Sequence, residues 1–131
     1  MLLCAQALTA YGQQVQMTLD TAVIAIGEPT VLRIQADRGV TAGMGGFGWP
    51  TWQDTIPGGL EILRALGTDT TAIESDEGNP VIRIERAYEI TAWDSGYLAI
   101  PPALLAWGTD TLASNPLLLN VLLAPPGEPG A

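Results

Sequence analysis

Residues 81–102, VIRIERAYEITAWDSGYLAIPP, decide the fold. Ile82, Ile84, Tyr88, Ile90 and Ala92 stand at even positions, while Arg83, Glu85, Glu89 and Thr91 stand at odd ones. Side chains of a strand alternate between faces, so this spacing predicts one long strand with one face on a core and one in water. Asp94-Ser95-Gly96 then supplies a tight polar turn, and Tyr97 opens a second strand that ends at Pro101-Pro102. A half-buried hairpin of this kind belongs to an antiparallel sheet and argues against alternating strands and helices.

Similar signals flank the stretch. Gln14 to Asp20 alternates, with Val15, Met17 and Leu19 on one side, and Val23 to Ile26 continues as a short strand. Gly27-Glu28-Pro29 breaks the run before Thr30 to Asp37 places Leu32, Ile34 and Ala36 inward. Leu60 to Leu66 reads as a further strand by its flanks, the alternative being a single helical turn, and residues 68–80, with Asp69, Glu74, Asp76 and Glu77, read as a solvated hairpin connection. Ala103 to Trp107 leads into the turn Gly108-Thr109-Asp110, and residues 111–114 follow. Leu117 to Leu123 is nearly all apolar and is expected to be buried on both sides. The expectation is an all-β, immunoglobulin-like antiparallel β-sandwich of seven to nine strands over residues 14–124. A Pro/Gly linker would cover 125–131.

Composition narrows the chemistry. The chain has 131 residues, 47% hydrophobic and 15% charged, which suits one globular domain. There is no histidine, so Ser-His-Asp triads, Cys-His dyads and His-ligated zinc are excluded. The formal net charge is −9, and all five basic residues are arginines, which disfavours nucleic-acid backbones and anionic membrane surfaces. The single cysteine, Cys4, lies in MLLCAQALTA, an apolar segment ending in small residues. That segment looks like the end of a secretory signal peptide over residues 1–13, the alternative being an ordinary N-terminal strand. No apolar run approaches the roughly 20 residues that span a bilayer as a helix. No cofactor, metal site or catalytic residue is expected. The acidic residues 69, 74, 76 and 77 lack the alternating spacing of a calcium loop.

The part of the chain richest in candidate binding groups is residues 38–59, with seven glycines and two prolines among 22 positions. Loops of this length in a compact domain tend to be functional. Phe47, Trp49 and Trp52 cluster there and could stack on a sugar ring or anchor a protein partner, or fold back over one end of the sandwich. Trp93 alternates onto the polar face of its strand, and Trp107 is expected to cap the core edge. Arg86 falls on the apolar face between Ile84 and Tyr88, with either a carboxylate partner or its stem packed and its head in water. Asp94, Gly96 and Tyr97 resemble an immunoglobulin-type turn whose tyrosine hydroxyl bonds back to the backbone.

Three phrases, AIGEPTVLRIQ, WPTWQDTIPGGLEIL and the DSGYLAIPP end of the opening stretch, occur in an order that resembles the N-terminal immunoglobulin-like domain of BatD-type aerotolerance proteins of Bacteroidota. The resemblance covers roughly residues 14–123. It implies a non-catalytic interaction module of the bacterial envelope, periplasmic or anchored. Its partners would be proteins, with membrane-associated von Willebrand factor A proteins as candidates. The alternative function is a carbohydrate-binding module built on Phe47, Trp49 and Trp52.

Overall fold

The computed structural model describes residues 13–39, 47–74 and 77–124. The leader expected at the N-terminus with Cys4, the linker over 125–131, loop residues 40–46 and Asp76 lie outside the described residues, Gln13 being the one leader position within them. The described residues form ten strands: β1 (Gln13–Leu19), β2 (Val23–Ala25), β3 (Thr30–Gly39), β4 (Thr55–Ile56), β5 (Leu60–Glu74), β6 (Pro80–Ala92), β7 (Gly96–Ile100), β8 (Leu104–Trp107), β9 (Asp110–Ala113) and β10 (Leu117–Leu122). The domain is all-β and sandwich-like. The count passes the expected nine because β4 is a two-residue strand and because prolines divide the last hairpin.

One sheet has the order β1-β3-β6-β5-β4 and is antiparallel throughout. The opposing sheet has the order β2-β10-β7, with β2 parallel to β10. The β8–β9 pair belongs with it. Ile100 pairs with Leu117 and Leu104 pairs with Ala113, so both strand pairs run in a single register. Together they make one long hairpin, interrupted where Pro101 and Pro102 face Pro116 and Asn115. Proline has no N–H to give a ladder, so the pairing opens at that point. Within the opening, Ser114 N–H donates to the Ala103 carbonyl at 2.9 Å, and the Ser114 hydroxyl accepts from Ala103 N–H at 2.8 Å.

The core lies between the two sheets. Leu32, Ile34 and Ala36 of β3 and Tyr88, Ile90 and Ala92 of β6 meet Ile24, Ile100, Leu105, Leu119 and Val121 from the other side. The alternation read in residues 81–92 is therefore the inward face of β6. The outward side of this sheet carries ion pairs: Arg83 of β6 grips Asp37 of β3 at 2.9 and 3.0 Å, and Arg33 of β3 grips Asp20, just after β1, at 2.9 and 3.1 Å.

Three expectations need correction. Thr91 is on the polar face but fully buried, because the Gly27–Glu28 turn folds over it and the Glu28 carbonyl accepts its hydroxyl at 2.8 Å. β10 alternates instead of burying both faces; Leu119 and Val121 are in the core while Leu118 is 55% exposed. Finally, β5 does not stop at Leu66. It runs on to Glu74, because β6 supplies a ladder partner to each side of two bulges, between Ile62 and Arg64 and between Ala65 and Gly67.

Candidate functional site

The aromatic residues of the glycine-rich segment are turned toward the core. Gly48 pairs with Ala106 of β8, its N–H donating at 2.7 Å and its carbonyl accepting at 2.8 Å. This bridge delivers Phe47 inward, where it is buried and lies 4.8 Å from the Trp107 ring and 6.3 Å from the Trp49 ring. Trp52 sits edge-on to Tyr88 at 5.8 Å. Trp49, Trp52 and Trp107 all pack against the core as half-buried side chains.

Two arginines complete this end of the sandwich. Arg38 and Arg86 occupy inward positions of β3 and β6. The Arg86 guanidinium lies over the Trp49 ring at 4.6 Å, and that of Arg38 over Trp107 at 5.8 Å. Both arginines bury Nε without a hydrogen-bond partner. The electron-rich ring faces therefore take the place of carboxylates as neighbours for the two cations. Neither sequence reading of Arg86 describes it: among the described residues no carboxylate pairs with it, and its head lies against an indole with Nε buried instead of in water.

The Asp94–Tyr97 turn has a different character. Tyr97 is 71% exposed, which corrects the expectation of a structural tyrosine bonded back to the backbone. Asp94 lies in the exposed connection between β6 and β7, and Gly96, at a positive φ of 119°, and Tyr97 open β7.

Trp93 heads a second aromatic site, which the sequence marked only by placing this residue on the polar face. Its side chain is 57% exposed. Its indole N–H donates to Glu61 Oε1 at 2.6 Å. Its six-membered ring rests on Gly27, where a Cβ would come within 2.9 Å of Cζ3. Gly27 also has φ +81°, a region open to glycine and strained for other residues. The ring is thus held at its nitrogen and at its far edge. Beside it runs a groove of about 740 Å³, bounded by Asp54, the Pro57–Gly59 turn, Glu61 and Trp93. Gly58 of that turn sits close against β7, since a Cβ there would approach the Ala99 carbonyl oxygen to 2.6 Å.

Among the described residues no three of histidine, cysteine, aspartate and glutamate gather as metal ligands, and no helix is long and apolar enough to cross a membrane.

A further feature concerns the edge of the larger sheet. β4 covers β5 only at Leu60 and Glu61, and Ile62 N–H donates to the Asp54 carbonyl at 2.7 Å. From Leu63 to Glu74 no described strand lies on the outer side of β5, and nearly every residue there is exposed. Compared with known families, characterised proteins and solved structures, the chain matches none. What the fold defines is the class: an all-β, sandwich-like domain with a buried arginine–aromatic end, an exposed tryptophan groove and one long strand edge beside which no described strand lies.

Proposed function

We propose that this domain is a non-catalytic protein-interaction module of the bacterial cell envelope, similar to the N-terminal domain of BatD-type proteins, and that it receives its partner along β5. The observation that supports this reading is the edge from Leu63 to Glu74, along which no described strand pairs. A strand edge presents a row of N–H and C=O groups, and an extended segment of another protein can add to it as a further strand. Natural edges are usually blunted by lysine, proline or a short length. This one has neither lysine nor proline, and its outer half reads Thr68-Asp69-Thr70-Thr71-Ala72-Ile73, rich in strand-forming residues. Its bulges lie at the end nearest β4, leaving Gly67 to Glu74 in unbroken register with β6.

The partner fitting this edge is an extended protein segment, with membrane-associated von Willebrand factor A proteins as the first candidates. The glycan reading is weaker. Phe47, Trp49 and Trp52 spend their ring surface on the core and on each other, which leaves little for a sugar.

Alternate residues of a strand direct their N–H groups to opposite sides. Of Thr70 and Thr71, one therefore points its N–H at β6 and the other outward. Proline at the outward position is expected to abolish capture of the envelope partner while preserving the melting temperature. Proline at the inward position is expected to lower stability. Pull-downs from envelope extract, with the wild-type chain as bait and each variant as control, test this. Retrieval of the same partner by both folded variants, or of none by the wild type, rejects the reading.

A further inference from the structure

We infer that the Trp93 groove is a binding site for the guanidinium group of an arginine-bearing peptide. The site is separate from the open edge of β5, and neither requires the other.

The fold itself sets the pattern. Each of the other three tryptophans already has a cation or ring against it: Arg86 over Trp49, Arg38 over Trp107, and Tyr88 against Trp52. Trp93 has a glutamate at its nitrogen and a glycine beneath its benzo ring, and the rest of the indole is open to solvent. A tryptophan face attracts cations more strongly than any other side-chain ring, and guanidinium stacks on it as a plane.

The surroundings select charge. The groove is bounded by the carboxylates of Glu61 and Asp54 and by no basic residue. Glu61 uses Oε1 for the indole and keeps Oε2 for a second donor. A guanidinium laid on the ring can direct N–H groups at that oxygen, the planar donor arrangement that carboxylates match best. The chain's formal net charge of −9 draws a basic peptide toward the surface before contact. The ring is also already fixed in place, so binding orders little of the protein.

Isothermal titration calorimetry of the full chain tests the assignment, with acetyl-Gly-Arg-Gly-Arg-Gly-amide as probe and the same peptide carrying citrulline as the neutral control. The arginine peptide is expected to bind saturably and the citrulline peptide about tenfold more weakly or not at all. Trp93→Ala is expected to abolish binding, and Glu61→Gln to weaken it about fivefold, both with the far-ultraviolet spectrum of the wild type. In a ¹⁵N correlation spectrum, the Trp93 indole resonance is expected to move while those of the other three tryptophans stay. Equal binding of the citrulline peptide, undiminished binding by folded Trp93→Ala, or absence of binding at millimolar peptide overturns the assignment. A shift of the Trp93 indole by cello-oligosaccharide but not by the arginine peptide does so too.

Discussion

Asn115 joins the two sheets by treating Met17 as a strand neighbour: its Oδ1 accepts Met17 N–H at 2.8 Å and its Nδ2 donates to the Met17 carbonyl at 3.1 Å. Met17 lies in β1 of the larger sheet, and Asn115 lies where the prolines open the last hairpin. A side-chain amide thus takes the place of a backbone peptide. Asn115→Ala leaves both Met17 groups without that partner, and the expected loss is about 1–3 kcal/mol. Asn115→Asp keeps the acceptor and removes the donor, so it should fall between. Urea denaturation with an unchanged slope is the measurement, and a loss well below this range for Asn115→Ala would show that water replaces the amide.

Gly27 and Trp93 form a second coupled pair. Gly27→Ala places a methyl 2.9 Å from Trp93 Cζ3 and forces a non-glycine residue to φ +81°. The expected destabilisation is about 1–3 kcal/mol. Adding Trp93→Ala removes the clash and leaves the backbone term, so the double mutant should lose less than the sum of the singles. Additive losses would show that the ring simply swings aside.

Arg86 buries Nε without a hydrogen bond beneath Trp49. Arg86→Met keeps the apolar stem and discards the unsatisfied group. The desolvation saved, about 1–3 kcal/mol, is of the same size as a cation–π contact of about 0.5–2 kcal/mol and larger at the middle of each range. The variant is expected to hold or raise the melting temperature in calorimetry. Arg86→Ala is expected to lower it, because the stem is lost as well.

The Asp20–Arg33 pair predicts the direction of a pH effect. The hydrogen bond from Arg33 holds the Asp20 carboxyl below its ordinary value of 3.8. A carboxyl lowered on folding stabilises the folded state above its unfolded value, and that contribution fades as pH falls from 3.8 through the lower folded value. Both side chains are more than a third exposed, so the effect is small, under about 1 kcal/mol. Asp20→Asn should lower the neutral plateau by that small amount, flatten the acid limb in this window, and leave stability below it nearly unchanged.

The sheet was legible where local pattern and tertiary burial agree. The alternation of residues 82–92 and 30–36 gave β6 and β3 with their inward faces, since both strands are central and have one wet face. β5 was cut short because Gly67, Thr68 and Asp69 are turn formers in isolation; pairing with Ala87, Arg86 and Glu85 keeps them extended. β10 was misread because an apolar run carries no mark of which alternate residues face water. The site followed the same division. The clustering of Phe47, Trp49 and Trp52 was visible, but their inward turn depends on Gly48 meeting Ala106, fifty-eight positions away. Trp93 and Glu61 lie 32 residues apart, so their contact appears only once the register of β5 on β6 is known.

The parallel pairing of β2 with β10 has a kinetic consequence. Val23, Ile24 and Ala25 find their partners at Asn120, Val121 and Leu122, almost at the opposite end of the described chain. Closing so large a loop costs entropy before any contact offsets it, and folds dominated by such pairings form slowly. During synthesis β2 must wait, with Ile24 uncovered, until nearly the whole domain has left the ribosome. The step that completes the smaller sheet is therefore expected to be the last and slowest, and the one most exposed to a chaperone.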